Sequence, residues 1–274
     1  MTLEVGNLVK FKYDMVIERI ESTSVTCSWV DEEGLTHNKL FSLDSLELTD
    51  ETLEEDSLID ISSDSEEGEV QHGKDIVEWE GIKAFSPSNP GIQELLRDNE
   101  IPEMHGNKVW DSCYALLDFL KQFVEFEDNL SVLDIGCGWG VMSCYLAKKY
   151  NALVIGIDAD KNVEPFFQYH VEKNKTFAEF QVDTIGSVSD TDICLADVIV
   201  GADICFWDEL ADDWIKLIDR AVEDGTEHIY LADPGRDPFL KVYEYCKNKY
   251  GSELYSHTIE EPYPVEAYIL DVIP

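Results

Sequence analysis

The sequence predicts an α/β fold in which helices cover a mostly parallel sheet. From residue 76 onward, short apolar runs alternate with segments whose apolar residues recur at helical spacing, the pattern of successive β-α-β units. One of these runs, 131–135, continues directly into a glycine-rich turn, GCGWG. The last two predicted strands, 253–257 and 265–272, are joined by a connection too short for a crossover helix, so we expect them to pair antiparallel.

The charge of the chain restricts the partners that it can bind. Of its 274 residues, 58 are Asp or Glu and 20 are Lys or Arg, which gives a formal net charge of −38 at pH 7. Sites for a nucleic-acid backbone need Lys and Arg to neutralise phosphates, and so do sites for an anionic membrane surface. We therefore expect neither nucleic acid nor membrane as a partner. The hydrophobic content of 44% is ample for a core.

Targeting signals and metal ligands are not expected either. The sequence has no long apolar run, and its first residues, MTLEVGNLVKFKYD, do not have the pattern of a signal peptide. Its cysteines are scattered without a C-x-x-C pair, which indicates neither a disulfide framework nor a zinc site. They are Cys27, Cys113, Cys137, Cys144, Cys194, Cys205 and Cys246. A reducing cytoplasm is the expected location.

Residues 1–46 are predicted to form a small β-rich domain. Five short alternating or β-branched runs are separated by polar turns, one of them at 31–34, and this density of strands is typical of a small SH3-like β-barrel. The segment resembles a family of short bacterial β-barrel domains with a V-G-x-x-V-x-x-K start and a C-x-W strand. The matching residues are Val5, Gly6, Val9, Lys12, Cys27 and Trp29. Its role is either packing or partner binding.

Residues 47–74 are predicted to form an acidic flexible linker. No Lys or Arg lies between Glu47 and Glu69, and the segment is rich in Ser, so its charges repel one another. One apolar island, 58–61, has the composition of a docking motif, whereas the rest is typical of a solvated linker. We expect the α/β domain to occupy residues 75–274.

Two helices are predicted ahead of the glycine-rich turn. A short helix near 91–99 is flanked by prolines. A longer one begins at Trp110, and because its apolar residues recur at three and four positions, one face packs on the sheet. These apolar residues are Cys113, Leu116, Leu117, Leu120 and Val124. Trp110 itself either belongs to this core or forms a wall of a ligand pocket.

The glycine-rich turn is the strongest functional signal in the sequence. Gly136, Gly138 and Gly140 allow the backbone to turn tightly and to approach a ligand, and a helix predicted from near Trp139 then points its first amides at that ligand. A dinucleotide site has the spacing G-x-G-x-x-G and binds a pyrophosphate. Here the spacing is G-x-G-x-G, and Asp134 precedes it where a carboxylate repels phosphate and attracts a cation. This disfavours an NAD-dependent Rossmann enzyme.

This D-x-G-x-G pattern resembles motif I of the class I S-adenosylmethionine (SAM) methyltransferases, whose ligand carries an ammonium and a sulfonium group. The resemblance implies a Rossmann-like seven-stranded sheet with a C-terminal antiparallel hairpin, SAM as cofactor and S-adenosylhomocysteine as product. The alternative is a glycine-rich turn of another α/β protein. The cofactor-binding residues implied are Trp110, Asp134, Gly136, Cys137, Gly138, Trp139, Gly140, Asp158, Ala159, Asp183 and Asp203.

Carboxylates at the ends of the next two strands are further candidates for this cofactor site. A predicted strand at 152–157 is followed by Asp158, at the distance past the glycines where a carboxylate suits ribose hydroxyls. Asp160 is instead the candidate cap of the following helix. A third strand is predicted at 177–182, and we expect Asp183, directly after it, to accept a hydrogen bond from the adenine amino group.

Two more parallel strands are predicted before the C-terminal pair. They are 197–203 and 228–232, followed by helices at 210–222 and 238–250. Because ligands bind at the carboxyl ends of parallel strands, Asp203 and Phe206 are expected next to the methyl donor. Arg236 follows the fifth strand in a D-P-G-R turn, where it pairs with Asp233 or, alternatively, binds a carboxylate of the substrate.

Three stretches resemble one branch of these enzymes, which includes the protein-lysine and the nicotinamide N-methylase-like methyltransferases. They are GNKVWDS before the glycine turn, D-x-x-F from Asp203 to Phe206, and D-P-G-R from Asp233 to Arg236. In that branch the Asp and the aromatic residue line the channel for the acceptor amine, which implies that Asp203 and Phe206 are catalytic. Asp203 would orient the amine, while Phe206, Trp207 and Trp110 would provide an apolar wall and cation–π contacts.

The sequence therefore predicts a SAM-dependent N-methyltransferase with a cationic acceptor. A protein lysine is preferred, because an acidic surface attracts cationic segments and the N-terminal parts look like recognition modules. A small-molecule amine is the alternative acceptor, and an interaction protein that keeps the fold without turnover is the alternative of another class. The N-P-P-Y or D-P-P-Y of enzymes that methylate base nitrogens is missing after the fourth strand, so DNA and RNA are not expected as substrates.

Overall fold

The computed structural model describes residues 7–10, 14–20, 24–30, 36–42, 47–52, 75–103 and 105–272. Contacts within the chain group into two compact units, Met1–Gly68 and Glu69–Pro274, which are taken separately below. The predicted domain boundaries at residues 46 and 74 stay a prediction. The apolar island at 58–61 and the rest of segment 53–74 lie outside the described residues.

The first unit contains a five-stranded antiparallel sheet. Its strands are β1 (Asn7–Lys10), β2 (Asp14–Ile20), β3 (Ser24–Val30), β4 (Thr36–Ser42) and β5 (Glu47–Thr52), in the order β4-β3-β2-β1-β5. The alternating runs are thus strands, as predicted, but the fifth extends to Thr52, inside the predicted linker. Closure of this sheet into an SH3-like barrel stays a prediction, and the predicted turn at 31–34 lies outside the described residues.

Helices and strands alternate through the second unit. Its helices are α1 (Pro90–Asp98), α2 (Asp111–Phe123), α3 (Val141–Tyr150), α4 (Glu164–Asn174), α5 (Asp190–Cys194), α6 (Asp208–Asp224) and α7 (Asp237–Tyr250). Its strands are β6 (Ile76–Trp79), β7 (Ile82–Phe85), β8 (Ser131–Ile135), β9 (Leu153–Asp158), β10 (Glu179–Val182), β11 (Val198–Ala202), β12 (His228–Asp233), β13 (Glu253–Ile259) and β14 (Val265–Val272). The predicted helices and strands from 91 to 272 are all present, with ends shifted by a few residues.

Seven of these strands form one mixed sheet, which confirms the predicted α/β architecture. The order is β10-β9-β8-β11-β12-β14-β13. Strands β8 to β12 pair in parallel, whereas β14 runs antiparallel to both β12 and β13. The chain moves outward from β8 to β10 and then returns to β11 on the other side of β8. The carboxyl ends of β8 and β11 therefore border the crevice where ligands bind in such sheets.

The sheet is buried between two layers of helices. Helices α2, α3 and α4 pack on one face, and α5, α6 and α7 pack on the other. The central strands β8 and β11 are buried along most of their length, which explains why each reads as a nearly continuous apolar run. Within the described residues, every helix falls short of the length and apolar character needed to cross a membrane.

Three short elements of the second unit were not predicted: the strands β6 and β7, and the helix α5. Strands β6 and β7 form a two-stranded hairpin whose turn residues, Glu80 and Gly81, have φ values of 49° and 75°. Such left-handed conformations match the twist of a tight hairpin. Helix α5 was missed as well. Strands of four residues and a helix of five are too short for a periodic pattern to stand out.

Helix α4 supplies the hydrogen bonds that the free edge of the β6–β7 hairpin lacks. The buried His170 accepts from the Phe85 amide at Nε2 (3.0 Å), and its Nδ1 lies 2.8 Å from the Phe166 carbonyl. Asn174 accepts from the Lys83 amide and donates to the Lys83 carbonyl. These contacts fit the neutral imidazole that donates from Nδ1. Burial lowers the pKa of His170 to about 4, which is consistent with that state.

We predict that the contribution of His170 to stability is lost in acid. Its folded-state pKa of about 4 lies below the ordinary value of 6.5, so the unfolded chain binds the proton more tightly between these values. The difference in the free energy of unfolding between wild type and His170→Gln should therefore become about 2 kcal/mol less favourable to wild type from pH 7 to pH 5. Urea unfolding of both proteins at each pH measures this difference, and a constant difference would contradict the assignment.

Candidate active site

The glycine-rich turn leaves β8 in a left-handed conformation and leads into α3. Gly136, Gly138 and Gly140 have φ values of 71°, 50° and 75°, and Gly140 caps the helix. A Cβ on Gly136 would overlap the side chain of Ile204, and one on Gly140 would overlap Phe167. At Gly138, by contrast, the added atom would meet nothing within 4 Å. The turn is therefore packed at both ends and open at its centre, where a ligand can approach the backbone.

Strand β9 holds this turn in place. The amides of Gly136 and Cys137 both donate to the Ile157 carbonyl, at 2.7 and 3.0 Å. The next residue, Asp158, accepts from the Gly138 amide at Oδ2 (3.0 Å) and from the Asp160 amide at Oδ1 (2.9 Å). Burial raises the pKa of Asp158, and the two amide bonds oppose that shift. Each carboxylate oxygen keeps a lone pair for a further donor such as a hydroxyl.

The largest opening beside the turn is a mostly apolar cavity of about 140 Å³, which we call the first cavity. It unites residues from the ends of three strands, β8, β9 and β10, with the segment after β11. Its lining residues are His105, Ile135, Gly136, Ile157, Asp158, Ala159, Asp183, Thr184, Ile185, Ile204, Phe206, Trp207 and Leu210. Of the predicted site residues, Gly136, Asp158, Ala159, Asp183, Phe206 and Trp207 are brought together here. The cavity thus joins both predicted carboxylates to the predicted aromatic wall.

A smaller second cavity, of about 40 Å³, lies on the other side of Gly136. Its walls include the start of α2, the start of α3 and Asp134. The predicted residues that line it are Trp110, Asp134, Gly136, Cys137, Gly138 and Trp139. Since Gly136 and the residues after it separate the two cavities, a ligand lying across the turn would reach from Asp158 to Asp134.

Asp134 is a buried acid next to this second cavity. It is 3% exposed and accepts a hydrogen bond from the Ser143 hydroxyl (2.6 Å). Burial raises its pKa to about 7, against which the bonds from Ser143 act. Because burial makes the ionised form of this carboxylate costly, a cation in the cavity would stabilise that form. This agrees with the expectation that Asp134 attracts a positively charged ligand group.

Cys137 and Trp139 contribute to the turn mainly by packing. Trp139 is buried, stacks on Phe166 with ring centroids 5.1 Å apart, and donates from Nε1 to the Gly106 carbonyl (2.8 Å). Burial raises the pKa of the Cys137 thiol well above its ordinary value, so the thiolate needed for nucleophilic chemistry is not available. Within the described residues, no group of His, Cys, Asp and Glu has the arrangement of a metal site.

A buried network of charges lies directly after β11 and β12. Arg236 donates from Nη1 to Asp233 (2.7 Å) and from Nη2 to Asp203 (3.0 Å), and the predicted pair of Arg236 with Asp233 is therefore present. The other oxygen of Asp203 accepts from the Ser112 amide at the start of α2 (2.9 Å). Asp203 is 4% exposed and has a φ of 59°, which directs it toward these partners.

The partners of Asp203 in this network differ from those predicted from the sequence. Both of its oxygens are engaged, and it lines neither the first nor the second cavity, unlike its neighbours Ala202 and Ile204. One cation serves two carboxylates, so the cluster keeps a net negative charge behind the cavity wall. Asp203 thereby positions the segment that carries Phe206. Its predicted contacts with cofactor and acceptor amine stay predictions.

Four aromatic side chains meet beside the two cavities and form what we call the aromatic cluster: His105, Phe206 and Trp207 line the first cavity, and Trp110 lines the second. His105 stacks on Phe206 with centroids 4.5 Å apart, and Trp110 meets both rings edge-on at 6.0 and 6.3 Å. Trp207 lies beside Phe206 and is 48% exposed. Two cations already rest on these rings, the Arg236 guanidinium on Phe206 (4.7 Å) and Lys108 Nζ on Trp110 (4.3 Å).

Sequence reasoning missed several residues of this site. The sequence analysis assigned no role to His105. Its position against Phe206 depends on a left-handed backbone conformation (φ 60°) that the sequence pattern did not predict. Ile185, Ile204 and Leu210 line the first cavity, yet in the sequence they are ordinary apolar residues of helical or loop segments. Aliphatic pocket walls cannot be told from core residues by residue type alone.

We predict that Arg236→Gln destabilises the protein by about 3 kcal/mol, since it leaves two buried carboxylates without their cation. The matched control is Lys241→Gln, which breaks an exposed pair with Asp212 and should cost far less, because solvent screens that pair. Urea unfolding at neutral pH measures both. Equal losses in the two variants would mean that the Arg236 network adds no more than a surface ion pair.

Comparisons with known proteins agree with this arrangement. A family model described as mycolic acid cyclopropane synthetase matches residues 109–203, from the start of α2 to the end of β11. A sphingolipid C9-methyltransferase of Komagataella phaffii is 27% identical over 92 residues, covering 34% of this chain and 16% of that protein. A phosphoethanolamine N-methyltransferase of Triticum aestivum is 36% identical over 69 residues, covering 24% of this chain and 14% of that protein.

The chain thus spans well under a quarter of the length of these two relatives. Among solved structures, a precorrin-6y C5,15-methyltransferase from Geobacter metallireducens superposes with a TM-score of 0.47 at 13% identity, covering 64% of this chain and 94% of that one. Sheet order, glycine turn and family match together identify the second unit as carrying the class I SAM-dependent methyltransferase fold, whose cofactor is SAM.

Proposed function

We propose that this protein is a SAM-dependent N-methyltransferase whose acceptor is an amine, in the first place the side chain of a protein lysine. The observation that carries the proposal is the aromatic cluster, in which Trp207 lines the first cavity and is 48% exposed, with no Lys or Arg of the described residues over its ring. Aromatic faces attract ammonium groups and their methylated forms. An amine acceptor therefore matches the chemistry of the entrance.

The residues around the glycine turn fit the cofactor that the fold implies. Asp158 and Asp183 line the first cavity with hydrogen-bond acceptors suited to the ribose and the adenine. Asp134 lies on the other side of the turn, where its carboxylate suits an ammonium group. Gly138 leaves the open surface between them. When bound, SAM supplies an activated methyl group.

The side chains of the site bind, orient and exclude water, and none of them needs to act as a nucleophile. A methyl transfer between aligned atoms depends mainly on positioning and on an environment without competing water. The Asp203–Arg236–Asp233 network fixes the segment after β11 to the start of α2, and so holds Phe206 and Trp110 in the same wall. The aliphatic lining, including Ile185 and Leu210, makes the surface of the first cavity mostly apolar.

A protein acceptor is favoured over a small one by charge and exposure. The formal net charge of −38 attracts cationic segments, and Trp207 presents a large exposed ring at the mouth of the site. A small amine remains the second candidate because of the match to a phosphoethanolamine N-methyltransferase. That relative is named for a phosphate-bearing substrate, and in this chain Arg236 is already bound to two carboxylates.

We predict that the affinity for S-adenosylhomocysteine depends on the ionisation of Asp134. Its pKa of about 7 means that the carboxylate that pairs with a cation is the minor form at pH 6 and the major form at pH 8. The ratio of Kd in Asp134→Asn to Kd in wild type should therefore rise about tenfold from pH 6 to pH 8. Calorimetric titration measures it, and the ratio cancels any titration of the ligand. A ratio independent of pH would exclude this role.

The proposed activity is tested by transfer of a tritiated methyl group from SAM to a lysine-rich peptide and to phosphoethanolamine. We expect label on the peptide, and in Trp207→Ala a kcat/KM for the peptide about tenfold lower because an exposed cation–π surface is lost. Phe177→Ala removes another exposed ring, which lines neither the first nor the second cavity, and should leave kcat/KM for the peptide unchanged.

The other outcomes of this assay separate the alternatives. Label on phosphoethanolamine with none on the peptide would overturn the lysine proposal in favour of a small amine. No label on either acceptor, in protein that binds S-adenosylhomocysteine by calorimetry, would support the interaction protein that keeps the fold without turnover.

A further inference from the structure

A second pocket with aromatic walls lies away from the candidate active site. It is a cavity of about 250 Å³ between the C-terminal end of α2 and the face formed by β12, β13 and β14, and we call it the α2–β13 pocket. Its aromatic lining consists of Phe119, Phe123, Tyr230, Tyr255 and His257. Ser112, which contacts Asp203, stands eleven residues before Phe123 on the same helix, so about 16 Å of α2 separates the two sites.

The rings of this pocket surround Phe119. Its centroid lies 5.1 Å from Phe123, 5.3 Å from Tyr255, 5.7 Å from His257 and 6.3 Å from Tyr230. Phe119 and Tyr230 are buried, whereas Phe123 is 63% exposed and Tyr255 is also exposed. Buried rings thus form the base of the cavity and exposed rings form its rim. Neighbouring exposed rings form a contiguous apolar patch, and such patches mark candidate interaction sites.

Carboxylates accompany these rings. Asp271 lines the pocket, and in the sheet it lies opposite Tyr230 on one side and Glu253 on the other. Glu253 accepts a hydrogen bond from the Tyr255 hydroxyl, and Asp118 pairs with His257 Nε2 at 2.8 Å. The pocket therefore combines aromatic faces with negative charge, the two features that attract an organic cation.

Other rings of this domain are already covered by cations of the chain itself. Lys121 lies over Trp79, Lys173 over Tyr169 and Lys249 over Tyr250. Among the described residues, no Lys or Arg lies over Phe119, Phe123, Tyr230 or Tyr255. The basic groups present are histidines, of which His257 is paired with Asp118 and His228 stacks on Tyr230. Within the described residues, the faces of these rings are therefore not covered by a Lys or Arg, unlike those of Trp79, Tyr169 and Tyr250.

We propose that the α2–β13 pocket binds a quaternary ammonium group of the trimethylammonium type, carried either by a small molecule or by a trimethylated lysine. Such a group has no N–H to donate, so it needs rings and nearby negative charge and no precisely placed acceptors. It is also larger and more weakly hydrated than a primary ammonium, which favours a cavity of this size with aromatic walls. This site is independent of the methyl-transfer reaction proposed above.

The test is titration of the full chain with choline, monitored by ligand-observed NMR. A parallel titration uses 3,3-dimethylbutanol, the neutral molecule of the same shape. We expect choline to bind at least tenfold more tightly than the neutral molecule. Phe123→Ala should raise the Kd of choline about fivefold, because one ring of the site is lost. Asp271→Asn, which keeps the shape of the pocket, should raise it as well.

Two control variants locate the binding. Phe177→Ala removes an exposed phenylalanine elsewhere and should not change the Kd of choline. Trp207→Ala removes a ring of the aromatic cluster and reports any choline bound there. Equal binding of choline and its neutral analogue would overturn the proposal, and so would loss of binding in Trp207→Ala with none in Phe123→Ala. Titration with a trimethyllysine peptide separates the sources: tighter binding than choline favours a protein ligand, and weaker binding favours a small molecule.

Discussion

The second unit depends on one constraint, the left-handed turn that joins β8 to α3 and is clamped by β9. Three consecutive amides, from Gly136 to Gly138, donate to the Ile157 carbonyl and the Asp158 carboxylate. This clamp sets where α3 begins, keeps the centre of the turn open and brings Asp158 to the edge of the first cavity. The packing of Ile204 against Gly136 then couples the turn to the segment after β11. The turn and the segment after β11 are thus parts of one arrangement around the first cavity.

Buried charge is the second feature that organises this site. Arg236 lies between Asp203 and Asp233, and Asp203 in turn caps the Ser112 amide. The network joins β11, β12 and α2 at the ends that border the crevice. Burial raises the pKa of Asp233, and its contacts with Arg236 oppose that shift without cancelling it. The network therefore offsets only part of the cost of removing this carboxylate from water. The network thereby fixes the segment that carries Phe206 against the start of α2.

The fold of the second unit could be predicted because its signals are local. Buried parallel strands such as β8 and β11 appear as apolar runs, and the short connection before β14 reveals the antiparallel pair. The glycine spacing revealed where the cleft lies. The hairpin of β6 and β7 could not be found in this way, because its edge is satisfied by His170 and Asn174 from a distant helix.

Side-chain partners in the site were less predictable than its location. The contacts of Asp203 with Arg236 and Ser112 were not foreseen, because they depend on a left-handed backbone and on contacts between three elements. The α2–β13 pocket was not foreseen for the same reason. Its rings come from a helix and two strands whose alignment is set by the sheet register, which no single stretch of sequence contains.

The most direct test of this account is hydrogen–deuterium exchange of the full chain with and without S-adenosylhomocysteine. If the clamped turn is the cofactor cleft, amides in peptides spanning 134–142 and 156–162 exchange more slowly with the ligand, while those of β6, β7 and β13 do not change. Protection that leaves both cleft segments unaffected, or that appears only elsewhere in the chain, would contradict the assignment of the cleft.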